Sequence, residues 1–174
     1  YDVVQLINPM FLELKAERLF PIYRYLKQHN RRVVLGALGM DYYWVNECIT
    51  RKPLRYSDFN IGDSIRTDDV ALRDSRDWIG TPKGGLNQLI AHDCDGIVTG
   101  LYEYHVCYKL LFPEKTRFIP LPIFPAATVT PPSTDSRPSF DRGLRLFIGI
   151  SKGRSAYKGT DIMLKAAEDV QARY

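Results

Sequence analysis

The sequence predicts an α/β fold, a Rossmann-like parallel sheet with flanking helices. Two observations carry this expectation. Short apolar runs without strict alternation recur at residues 2–7, 33–38, 96–100 and 116–123, as suits strands covered on both faces. Segments with helical apolar spacing lie between them, and strands alternating with helices imply parallel pairing through right-handed crossovers.

The first strand is DVVQLI. After it, Leu12, Ala16, Leu19 and Phe20 have helical spacing. Pro21 lacks an N–H and clashes with the preceding turn, so a break is expected there. A new helix then opens on Pro21, with Ile22, Tyr23 and Leu26 as its apolar stripe and Asn30 as its stop. The second strand, residues 33–38, leads into a Gly-x-Asp turn at Gly39 and Asp41. Tyr42 to Val45 form an aromatic cluster that either packs onto the sheet or lines a pocket at the strand end. The polar stretch from Pro53 to Gly62 reads as loop.

Thr67 or Asp68 caps a short helix that runs to Trp78. Thr81 followed by Pro82 starts the next helix, with Leu86, Leu89 and Ile90 on its buried face. GIVTG is a third strand, residues 102–111 a helix, and TRFIPLPI a fourth strand closed by prolines. Residues 124–143 are rich in Pro, Ser and Thr and read as an extended linker. A fresh strand at 144–150 and a closing helix follow. The organisation expected is a partial domain at 1–123, a linker at 124–143, and the first strand and helix of a second domain at 144–174.

Bulk properties exclude several classes. The chain has 174 residues, 24 cations and 20 anions, interspersed, with a net charge of +4. No block of Lys and Arg suits a nucleic-acid track, so no nucleic-acid partner is expected. No apolar run approaches the ~20 residues of a membrane-spanning helix. Cys48, Cys94 and Cys107 form no dense disulfide framework, which favours a reducing, cytoplasmic setting. HDC at 92–94 and HVC at 105–107 repeat a His-x-Cys pattern. On a helix His105 and Cys107 point about 200° apart, so no metal site is expected there. Glu103 and His105 fail as an acid/base pair for the same reason, and Cys94 and Cys107 read as small buried hydrophobes.

The turn SKGRSAYKG carries most of the chemistry. Gly153 and Gly159 permit unusual backbone conformations, and Lys152, Arg154 and Lys158 supply three cations. Thr160 and Asp161 sit where a helix begins, and a helix N-terminus favours anions. Together these make a diphosphate clamp.

This unit resembles the start of the second domain in GT-B glycosyltransferases, of the retaining, metal-independent group that uses nucleotide-diphosphate sugars. YDVVQLINP, RRVVLGALGMDYYW, CDGIVTG and TRFIPLPI are similar, in order, to the later N-domain strands of that family; residues 41–80 lie outside the resemblance. The resemblance implies that Lys158, followed by Gly159, and a second cation, Arg154 or Lys152, neutralise the leaving diphosphate. It places Asn8, Gly39 and Asp41 on the acceptor side of the cleft. It implies a nucleotide sugar and a glycan or other hydroxyl acceptor as partners, no separate cofactor, and peripheral membrane contact at most. The chain then reads as an inactive piece of the enzyme, able to self-associate through its closing helix. A nucleotide-sugar epimerase or hydrolase of the same architecture is the alternative enzyme. A non-catalytic flavodoxin-like binding domain, with residues 144–150 as a fifth strand, is the alternative of another class.

Overall fold

The computed structural model describes residues 1–122, 148–149 and 159–173. Contacts divide the chain into two units, Tyr1–Pro122 and Ile123–Tyr174. The expected linker, and all but two residues of the expected strand at 144–150, lie outside the described residues.

The first unit is built on four parallel strands: β1 (Val3–Leu6), β2 (Arg32–Ala37), β5 (Gly96–Thr99) and β6 (Thr116–Phe118), in the order β1-β2-β5-β6. The Rossmann-like parallel sheet expected from the sequence is therefore present. The strand order advances in one direction without reversal. Right-handed crossovers that advance one way lay their helices on one face of a sheet. The helices do form a continuous layer: α1 (Ala16–His29) packs on α4 (Pro82–Asp93), and α2 (Tyr42–Thr50) on both α4 and α5 (Tyr102–Lys109). Val33, Leu35, Ala37 and Ile97 are buried beneath this layer. Strand neighbours on the other face, Val34 and Val98, are half-buried, and Val3 is exposed.

α1 corrects one expectation. It runs unbroken through Pro21. Pro21 removes one ladder bond, which leaves the Glu17 carbonyl without its usual donor. Both residues are exposed, so water can serve that carbonyl. Leu19 and Tyr23, on either side of Pro21, are fully buried, and their packing holds the helix together. The Tyr23 hydroxyl also donates to Asp93 Oδ2 at 3.0 Å, which ties α1 to α4.

The segment after β2 bears out the packing reading of the aromatic cluster. Tyr42–Thr50 is a helix, and Tyr43, Trp44, Val45 and Cys48 enter the core. Residues 53–62 are not all loop. β3 (Asn60–Ile61) and β4 (Ser64–Ile65) form a small antiparallel hairpin. The fully buried Asn60 organises it: its amide donates to the Leu54 and Gly62 carbonyls, each at 2.9 Å, and accepts from the Ser57 hydroxyl. α3 (Asp69–Trp78) is capped by Asp68, which accepts from Ala71 N–H at 3.2 Å. Thr81 accepts from Gly84 N–H at 3.3 Å at the head of α4, as its sequence predicts. The fourth strand is shorter than expected and ends at Phe118.

Two glycines are set by close approach. A Cβ on Gly36 would meet the Leu6 and Ile7 carbonyls at 2.9 Å, where β1 leaves the sheet. A Cβ on Gly84 would meet the Trp78 carbonyl at 2.1 Å. Gly39 has nothing within 4 Å of such a Cβ. Gly36→Ala and Gly84→Ala should each destabilise the chain by about 1–3 kcal/mol, as overpacking does. Gly39→Ala should stay within about 0.5 kcal/mol of the parent. Urea unfolding of the three variants checks this, and equal midpoints would contradict it.

Candidate functional site

In open parallel sheets, ligands bind beyond the carboxyl ends of the strands. At that edge the loops after β1 and β2 enclose a cavity of about 210 Å³. Ile7, Asn8, Met10, Leu38, Gly39 and Met40 line it, with Trp78 from α3. The walls are mostly apolar, and Asn8 brings the side-chain amide. Asn8 Oδ1 is buried and has no hydrogen-bond partner among the described residues. An unsatisfied buried oxygen is costly and wants a donor. Gly36 holds this loop close to β2, because the Ile7 carbonyl passes over the space a side chain would fill.

Met10 also borders a wider cavity of about 660 Å³. Its rim carries Lys15, Lys83 and Arg76 together with Glu13, Glu17 and Asp77. Lys83 pairs with Asp77 at 3.4 Å. The first turns of α1 and α4 face this space, and α1 has no side-chain cap at Lys15. The rim thus combines a helix start without a side-chain cap with charges of both signs.

Asn8 and Gly39, both expected on the cleft, come together in the smaller cavity. Asp41 does not line it. Its side chain is fully buried and caps α2, accepting from Trp44 N–H at 2.8 Å. Its second oxygen accepts from the Tyr108 hydroxyl at 2.7 Å. Asn87 completes the network, donating to Tyr108 Oη at 3.1 Å and accepting from Tyr42 N–H at 2.9 Å. Burial pushes the Asp41 carboxyl up to about 6, against the opposing pull of the Trp44 N–H, the Tyr108 hydroxyl and the Tyr43 N–H. Tyr108 is raised as well, by burial and by the Asp41 charge. This network is read more readily as a positioning device for the strand edge than as chemistry on a ligand.

His105 is a further polar group at the edge that sequence reasoning set aside. Thr99, the last residue of β5, donates to the Arg117 carbonyl at 3.2 Å and lies 3.1 Å from His105 Nδ1. The direction of the bond between Thr99 and Nδ1 follows the imidazole tautomer. Desolvation, then the Lys109 charge, lowers the His105 pKa. The signal for it was positional: a His in the first helix after a strand end.

Lys152, Gly153, Arg154 and Lys158 lie outside the described residues. Gly159 is described, with φ +58, a conformation that favours glycine. Its carbonyl accepts the first bond of α6 (Thr160–Arg173) from Met163 N–H at 3.0 Å. Thr160 is buried, and its hydroxyl has no partner among the described residues. Asp161 adds an anion to the same first turn. No group of His, Cys, Asp and Glu among the described residues is arranged to hold a metal. No described helix is long and apolar enough to cross a membrane. Compared with models of known families, with curated proteins and with solved structures, the chain matches none.

The Asp41 network makes a pH prediction. The native carboxyl holds its proton more tightly than the ordinary 3.8 of an unfolded chain. Its stabilising contribution is therefore complete below about pH 4 and is lost as pH rises through about 6, a change of about 3 kcal/mol. Asp41→Asn keeps a capping oxygen and carries no charge. It should remove this component, so that the variant gains on the parent between pH 4 and pH 7 in denaturant titrations. A constant gap across that range would rule out a burial penalty on Asp41.

Proposed function

We propose that the chain is part of a GT-B-type glycosyltransferase: the later part of an acceptor-side domain at 1–123, a linker at 124–143, and the opening strand and helix of a donor-binding domain at 144–174. The intact enzyme would move a sugar from a nucleotide-diphosphate donor to an acceptor hydroxyl. In this reading Asn8 and Gly39 face the acceptor. Lys158, with Arg154 or Lys152, neutralises the diphosphate as it leaves, and the N-terminus of α6 adds its dipole. Asp41 shapes the acceptor side from behind.

The observation that carries the reading is the cavity at the carboxyl ends of β1 and β2, lined by Asn8 and Gly39. Two features of the second unit lend support. Gly159 is left-handed at the entry to α6, directly after Lys158, and the Thr160 hydroxyl is buried without a partner among the described residues. Ile162, Met163, Leu164 and Val170 are exposed on α6, which fits a helix meant for a larger domain better than the outer helix of a finished flavodoxin-like one.

The test uses the full-length protein and follows nucleoside-diphosphate release from a panel of nucleotide sugars, with glycosylated product identified by mass. Lys158→Ala should lower kcat/KM about 100-fold or more, the scale seen when one stabiliser of developing charge is removed. Asn8→Ala should act mainly by raising the acceptor KM. Unchanged kcat/KM for Lys158→Ala would sink the diphosphate role, and free sugar as sole product would point to the hydrolase alternative.

A further inference from the structure

The strands of the main sheet have unlike ends. Charged residues stand at the amino ends: Asp2 before β1, Arg32 opening β2, Asp95 before β5 and Lys115 before β6. At the carboxyl ends large apolar groups stand instead. Ile7 follows β1, Leu38 follows β2, Leu101 and Tyr102 lie just beyond β5, and Phe118 closes β6 with Leu121 after it. Leu38 is half-buried and the others are exposed, Ile7, Tyr102 and Leu121 by more than half. Apolar groups gathered at one edge in this way mark a binding surface, which single scattered ones do not. The groups are also joined. Leu38 lines the smaller cavity, and from there it leans across the end of β5. A Cβ on Gly100 would lie 2.9 Å from Leu38 Cδ2 and 3.2 Å from Leu121 Cδ2. The missing side chain at Gly100 therefore lets two leucines close over the backbone and carry an apolar track from β2 past β6. Tyr102 widens it, its ring centroid 6.2 Å from that of Phe118. From β1 to β6 the track crosses three strand spacings, roughly 15 Å. The cavity at its β1 end, about 210 Å³, is smaller than the roughly 300 Å³ at which pockets for whole ligands begin. It has room for a head group, and a larger ligand must continue along the track.

We propose that this edge binds an amphiphile, with a hydroxylated head in the cavity beside Asn8 and an alkyl tail laid along Leu38, Leu121 and Tyr102. The assignment of that amphiphile as the acceptor rests on the transferase reading; the apolar track does not. The acceptor class is then a hydroxyl compound carrying a linear apolar tail. The cavity orients the head through the Asn8 amide, and the tail supplies affinity in proportion to the apolar area it covers. The charged amino edge of the same sheet offers such a tail nothing.

The test measures binding of a series of alkyl glucosides, butyl to decyl, to the full-length protein by calorimetry, each below its micelle-forming concentration and without nucleotide sugar. Affinity should rise about threefold per added methylene and level off once the tail spans the track. Leu121→Ser and Tyr102→Ser change exposed side chains, so the fold should persist. Each should weaken decyl glucoside by about fivefold or more and leave butyl glucoside within about twofold of the parent. Equal affinity along the series, binding only where micelles form, or variants that weaken every glucoside alike would each overturn the proposal. So would a dimer of the chain that shields this edge from the probes, seen by sedimentation. No donor takes part, so the two readings fail separately. Tail-dependent binding without nucleoside-diphosphate release would sink the transferase reading and leave the site. Release with a tail-less acceptor and no dependence on tail length would do the reverse.

Discussion

The arrangement of the strand edge depends on one carboxylate taken out of water. Asp41 ends the turn after β2, caps α2 with one oxygen and receives the Tyr108 hydroxyl with the other. Asn87 ties the same hydroxyl to α4 and to Tyr42 N–H. Three helices are thereby indexed to one strand end. Burying a charge is expensive, and the raised pKa of Asp41 is the visible remainder of that cost after its hydrogen bonds are counted. What is obtained is placement: an apolar helix pair could slide, but a hydrogen-bonded carboxylate fixes α2 against α4 and α5.

The two cavities inherit this placement. Trp78 and the first turn of α4 reach the strand edge only because α3 and α4 meet at a turn too tight for a Cβ at Gly84. The β1 loop reaches it because Gly36 lets the Ile7 carbonyl pass. The glycine that the sequence pattern made conspicuous, Gly39, has open space around it. The glycines that shape the cavity sit inside a strand and inside a helix, where they look unremarkable in the sequence.

Periodicity and caps made the sheet legible. Each of the four apolar runs holds a strand, the last one shorter than its run, and the Asp68 and Thr81 caps and the burial of Leu86 and Ile90 are where the sequence puts them. One reading failed because a tertiary term outweighed a local one: Pro21 is tolerated in α1 since Leu19 and Tyr23 are fully buried. The aromatic cluster at Tyr42 to Val45 packs, as one of its two readings had it, and does so as a helix with Asp41 as its cap. Of the candidate site, Asn8 and Gly39 came from the resemblance of their strand ends, and both line the smaller cavity. Asn87, Tyr108 and His105 were not legible in the sequence, since their meeting with β2 and β5 depends on how the helices are layered. The chemistry proposed for the closing turn rests on the sequence and on the entry to α6.

The uninterrupted strand order has a kinetic side. In the main sheet every strand pairs with the one before it, so the sheet can grow outward from one edge as the chain is made, with no strand waiting for a later partner to slip between two neighbours. The slow closure is the step from Val34 to its partner Gly96, across which α2, the hairpin, α3 and α4 must first be gathered. A nascent chain released before Gly96 has emerged would hold only the β1–β2 pair and a set of helices without a floor.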